Sequence, residues 1–136
     1  MLRYLCVTVA VCTTSVHAAE IDFSRDVRPI LSDKCFRCHG PDEGERSTDL
    51  RLDVKASVLE PLDAGGHAIV PGQPDESELI RRITSEDDDR MPPDDSGKEL
   101  SEAQIQVLRQ WIEQGAEWSD QWSFVAPRRP ELPRVT

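Results

Sequence analysis

Cys35-Phe36-Arg37-Cys38-His39 constrains this chain more than any other stretch. One helical turn places the two sulfurs on the same side, and an imidazole follows directly after the second. Two thiols three apart with histidine next is the attachment pattern of a c-type haem, in which the sulfurs bond the porphyrin vinyl groups and the histidine ligates iron. A chain that carries it must fold around a large flat apolar body fixed by covalent bonds. Cys35 and Cys38 are therefore the expected covalent haem anchors and His39 the proximal iron ligand.

Length and composition bound the rest. A chain of 136 residues suggests one domain, and residues 1–18 read as a secretory signal peptide. Arg3 gives the positive start, Tyr4 to Val11 the apolar stretch, and Val16-His17-Ala18 the small-residue end. The apolar part is short and interrupted by Thr8, Thr13, Thr14 and Ser15, so it does not read as a spanning helix. No second apolar run follows, and the expectation is a periplasmic or secreted mature chain with no membrane span. Cys6 and Cys12 leave with the leader, so Cys35 and Cys38 are the remaining two of four cysteines and no disulfide framework is available. Val11 stands before Cys12 where a lipidation signal wants a small residue. Loss of Arg3 leaves 26 Asp and Glu against 15 Lys and Arg (16 less one), a net charge of −11. Nucleic acid is an unsuitable partner for such a chain.

Helix signals recur along the chain. Phe23, Val27, Ile30 and Leu31 share one face, and Pro29 restricts the first turn, so a short turn from about Ser24 leads into a helix ending at Cys35. Gly40-Pro41 stops the chain after the histidine. Asp53 is placed to cap a brief helix over Val54 to Leu59, and Asp75 with Glu78 opens another that buries Leu79, Ile80 and Ile83. The best-specified helix comes last. Ser101 and Gln104 match a capping box, Leu100 and Ile105 a staple, and Ile105, Leu108 and Ile112 a stripe flanked by Val107 and Trp111, with Gly115 closing the helix. Beyond it Pro127, Pro130 and Pro133 alternate with Arg128, Arg129 and Arg134 in an extended tail.

Iron held by His39 needs a sixth partner. Met91, in Arg90-Met91-Pro92-Pro93, is the one methionine left once Met1 goes with the leader, and it is the candidate distal ligand. His67 competes for that place, since the flexible Gly65-Gly66 precedes it. The alternatives to haem are weaker: zinc wants four ligands and would have to use the adjacent Cys38 and His39, and a thioredoxin-like pair wants a βαβ setting that the sequence lacks. Glu86, Asp87, Asp88 and Asp89 either steer a basic redox partner or form a solvated loop, and Arg51 and Arg90 are propionate candidates on charge alone.

The stretches FSRDVRPILSDKCFRCHG, LRLD, IVPGQPDESELIRRI, RMPP and LRQWIEQGAEW, spread over residues 21–118, together resemble the planctomycete-type c-type cytochromes, which are usually the N-terminal domains of larger secreted proteins. The resemblance implies a class I-like, all-α cytochrome c-like fold of three to five helices with long loops around one covalent haem c. It also implies thioether bonds at Cys35 and Cys38, His39 as proximal ligand and Met91 as distal ligand. Thr48-Asp49 stands where similar sequences often carry glycine, and the loop through Gly65-Gly66-His67 is shorter than theirs. WSFVAPRRPELP resembles their connector to larger domains of unknown function, which makes residues 119–136 a tail or linker after a haem domain over 19–118. The expectation is an electron carrier rather than an enzyme, passing single electrons between redox partner proteins. The alternative is a haem-based sensor, or an accessory haem domain of a larger secreted enzyme, with the distal position open.

Overall fold

Pro29 has no N–H to give to a helix, and the first α-helix starts where none is needed: α1 spans Arg28–Lys34 with the proline in its first turn. A π-helical turn over Phe23–Val27 leads into it, capped by the Asp22 side chain, which accepts from the Arg25 N–H. The expected face is buried, with Phe23, Val27, Ile30 and Leu31 all turned into the core. The computed structural model describes residues 19–119, so the leader and the tail over 120–136 lie outside the described residues.

Cys35 interrupts the helix at φ −124° and ψ −33°, and α2 (Phe36–His39) resumes immediately. Then come α3 (Lys55–Leu59), a 3₁₀ turn at Pro74–Glu76, α4 (Glu78–Ile83), a second 3₁₀ turn at Asp94–Ser96 and α5 (Glu102–Glu113). The described residues contain no β-strand, only isolated bridges joining His67 to Pro61 and to Ser77. The architecture is all-α, and no helix in the described residues is long and apolar enough to cross a membrane.

α5 organises the packing. Its capping box is formed, with the Ser101 hydroxyl accepting from the Gln104 N–H and the Gln104 side chain accepting from the Ser101 N–H. Gly115 adopts φ 103° just beyond the helix, a conformation that excludes most side chains. Leu108, Trp111 and Ile112 are fully buried, while Ile105 and Val107 are half-buried. Each large apolar side chain so removed from water contributes about 1.5–3 kcal/mol before entropy is charged against it. Trp111 packs against Phe23 and Trp118, with ring centroids 5.6 Å from each, and Phe23 lies 4.2 Å from Trp118. The N-terminal turn is thereby joined to the last helix, and Gln114 reinforces the joint through Ile21 N–H and the Ala19 carbonyl. On the other side α4 packs on α5, and the Gly72 N–H donates to the Ile112 carbonyl at 2.7 Å.

Two expected caps are absent because their carboxylates have stronger partners. Asp53 does not cap α3, whose N-cap is Val54 with no side-chain hydrogen bond; it forms a two-point pair with Arg51 instead. Asp75 lies in the 3₁₀ turn and pairs with Arg109 on α5 at 2.6 Å, so α4 begins after Ser77. Ser77 is fully buried and fastens the preceding loop, donating to the Gln73 carbonyl and accepting from the Val70 N–H.

Candidate functional site

The carbonyls at the end of a four-residue helix need partners that the helix cannot supply. The loop after α2 provides them: the Ser47 N–H donates to the Cys38 carbonyl at 3.0 Å and the Leu52 N–H to the His39 carbonyl at 2.8 Å. Gly40 permits the return. Its backbone is extended rather than left-handed, and a Cβ there would lie 2.2 Å from the Phe36 carbonyl oxygen. The stop after histidine thus depends on close approach, not on the positive φ usual at helix ends.

The same loop grips the imidazole. His39 Nδ1 lies 3.4 Å from the Leu50 carbonyl oxygen and 3.0 Å from the Thr48 hydroxyl. With a proton on Nδ1, both oxygens accept and Nε2 presents its lone pair, the arrangement that orients a metal-ligating histidine. Burial holds the His39 pKa below the ordinary value; the Leu50 carbonyl opposes that shift and the positive charge of Arg82 adds to it. The ring is therefore neutral at neutral pH, as a ligand must be.

Cys35 and Cys38 are free thiols, each half-buried. Although part of Cys35 reaches the surface, burial pushes its thiol up to about 12, with Asp33 and Cys38 adding to the shift. A protonated thiol of this kind is opposite to the activated thiolate of a dithiol oxidoreductase. No group of three or more His, Cys, Asp or Glu among the described residues is placed to hold a metal ion, and the zinc alternative lacks its ligands there.

Met91 is half-buried, and its N–H donates to the Arg82 carbonyl at 3.0 Å. Arg82 is in the last turn of α4, and its charge is felt at His39. His67 is tied to the opposite end of that helix, where its carbonyl accepts from the Glu78 N–H. The loop after Met91 is fastened to the haem-motif side by Lys98, whose ammonium lies 2.6 Å from Asp33. Arg51 is engaged by Asp53, and Arg90 is exposed. Two surface hollows, of about 510 and 550 Å³, are lined by charged residues such as Arg109 and Glu113 or Lys34 and Lys98, and include none of Cys35, Cys38, His39 and Met91. The site is defined by its donor atoms rather than by either hollow.

Thr48, Leu50 and Arg82 carry no signal in the sequence. Thr48 and Leu50 act across a loop of no regular period, and Leu50 through its main chain, which any residue possesses.

Residues 35–95 match the family model of the planctomycete cytochrome C. The match covers 61 of the 136 residues, and over that segment the chain is similar to the planctomycete cytochrome C family. No curated protein and no solved structure matches the chain. The cytochrome segment takes in both thiols, His39, the loop that grips it, α4 and Met91. The family it resembles is one of haem-binding, electron-transfer proteins, and the match points to that role. The residues present fit haem c: two free thiols at attachment spacing, and a neutral imidazole whose Nδ1 is occupied by oxygen acceptors while Nε2 has no hydrogen bond among the described residues.

Proposed function

We propose that the chain is a mono-haem cytochrome c with a cytochrome c-like fold, exported to the periplasm or secreted, that carries single electrons between redox partner proteins. The observation that carries this reading is the held imidazole of His39, with Nδ1 against Thr48 and Leu50 directly after a pair of free thiols. When bound, the haem supplies reversible one-electron chemistry. The chain's own residues do the rest. Cys35 and Cys38 would hold the haem through thioether bonds from their sulfurs. His39 would hold the iron through Nε2, with its Nδ1 proton kept by the loop oxygens, which orients the ring and raises its basicity.

Met91 is the proposed sixth ligand. Its main-chain tie to Arg82, the residue of α4 whose charge reaches His39, favours it over His67, whose carbonyl is tied to Glu78. A soft thioether on iron keeps the site closed to small ligands and the potential higher than a second imidazole would. The ferric absorption spectrum tests this: a methionine-to-iron charge-transfer band in the unmodified protein is expected to vanish in Met91→Ala. Rapid carbon monoxide binding by the unmodified ferrous protein would instead support a sensor with an open distal position.

A further inference from the structure

Asp89 belongs by sequence to the acidic run Glu86–Asp89, yet its surroundings set it apart. Its Oδ2 lies 2.7 Å from Arg81 Nη1, and its Oδ1 accepts from the Ser85 hydroxyl at 3.0 Å. Its carbonyl oxygen accepts from Arg82 Nη1 at 3.4 Å, and Arg82 is itself held through Nε by Glu78 at 2.8 Å. Two residues on, the Met91 N–H donates to the Arg82 carbonyl. The carboxylates of Glu86, Asp87 and Asp88 make no hydrogen bond or ion pair within the described residues and are exposed. The chain from Asp89 to Met91 therefore folds back onto the last turn of α4 through both side-chain and main-chain bonds; Asp87 joins the turn through its main chain, and only Asp89 in the acidic run contributes its carboxylate.

We propose that Asp89 is a positioning residue, whose carboxylate staples the Met91 segment to the C-terminal turn of α4 and so holds the thioether ready for iron. The proposal rests on the reading of Met91 as distal ligand and deepens it. Between α4 and α5 the chain runs from Thr84 to Ser101 with one 3₁₀ turn, and a segment of that length has many conformations to lose. A ligand carried on such a segment competes with added ligands in proportion to the fraction of time it is in place. The ion pair of Arg81 with Asp89 and the hydrogen bond from Ser85 raise that fraction. The acidic run is thus divided: Glu86 to Asp88 are solvated, and Asp89 is structural to the site.

The haem-loaded full chain tests the assignment with two readouts, hydrogen exchange at the Met91 amide and the affinity of the ferric protein for imidazole. Imidazole is useful because its neutral form does not respond directly to the charge removed. In Asp89→Ala, exchange at Met91 is expected to quicken about tenfold and imidazole to bind about tenfold tighter, the effect of losing one charge-assisted bond. Asp88→Ala makes the same charge change without touching the staple and is expected to match the unmodified protein in both readouts. If Asp89→Ala behaves like Asp88→Ala in either readout, the positioning role is overturned. Met91→Ala separates the two levels: should it bind imidazole no more tightly than the unmodified protein, the ligand reading falls and the staple's purpose with it. If Met91→Ala binds tightly while Asp89→Ala is unchanged, only the staple is rejected.

Discussion

At the scale of single residues, protonation and orientation matter more than identity. A histidine after two cysteines is a ligand only if its ring is neutral and one nitrogen is free; for His39, burial favours the neutral ring against the Leu50 carbonyl, while Thr48 and Leu50 engage Nδ1 and leave Nε2 free. Removing the Thr48 hydroxyl takes one acceptor from the Nδ1 proton and leaves the Leu50 carbonyl alone. The ring becomes a poorer donor to ferric iron, so Thr48→Val should retain haem and raise the reduction potential, as voltammetry of the purified protein would register. An unchanged or lowered potential would mean that the hydroxyl does not tune the ligand. The three residues of the proposed attachment motif could be singled out because their spacing is local, whereas Thr48 could not. Its role depends on a loop that turns back along α2, and the sequence showed only that a common glycine was missing nearby.

At the scale of elements, competition among partners decides which local signals are used. The capping box at Ser101 formed as expected, since its two members lie within one turn and nothing else claims them. Asp53 and Asp75 had equally good cap positions and were drawn away by Arg51 and by Arg109, the second from another element 34 residues along the chain. Charge-assisted pairing outweighs a neutral N–H contact, and a partner distant in sequence cannot be read from a window of one helix. Within α4, Glu78 is the acid of an ion-pair set with Arg81 and Arg82, and its carboxyl is held down to about 2, first by the Arg81 hydrogen bond and then by Arg82 against the opposing effect of burial. A carboxyl whose folded pKa is depressed stabilises the fold above its unfolded value, and that contribution is lost as pH falls from about 4.5 toward about 2. After discounting for solvent screening the set is worth about 1 kcal/mol. Glu78→Gln should therefore lower the melting temperature at pH 7 and converge with the unmodified protein near pH 2, as thermal unfolding by circular dichroism would record. An equal deficit at both values would trace the effect to packing instead.

At the scale of the molecule, the N-terminal turn, α1 and α5 close one side through Phe23, Trp111 and Trp118, and α4 with its following loop closes another. The helical class was legible from apolar periodicity, because the residues that alternate at helical spacing are the ones buried on α1, α4 and α5. The long connections were not, since their course is set by main-chain bonds such as Leu52 to His39 and Gly72 to Ile112 that no residue type announces. Those connections join the site to the rest of the fold: one holds His39 from behind and another carries Met91. The account stands on haem joined to the chain through Cys35 and Cys38. Intact-mass measurement of the denatured product, made in cells equipped for haem maturation, tests that most directly. The account predicts the polypeptide plus one haem that denaturation does not remove, lost together with colour in Cys35→Ala/Cys38→Ala; the mass of the bare polypeptide from such cells would contradict it.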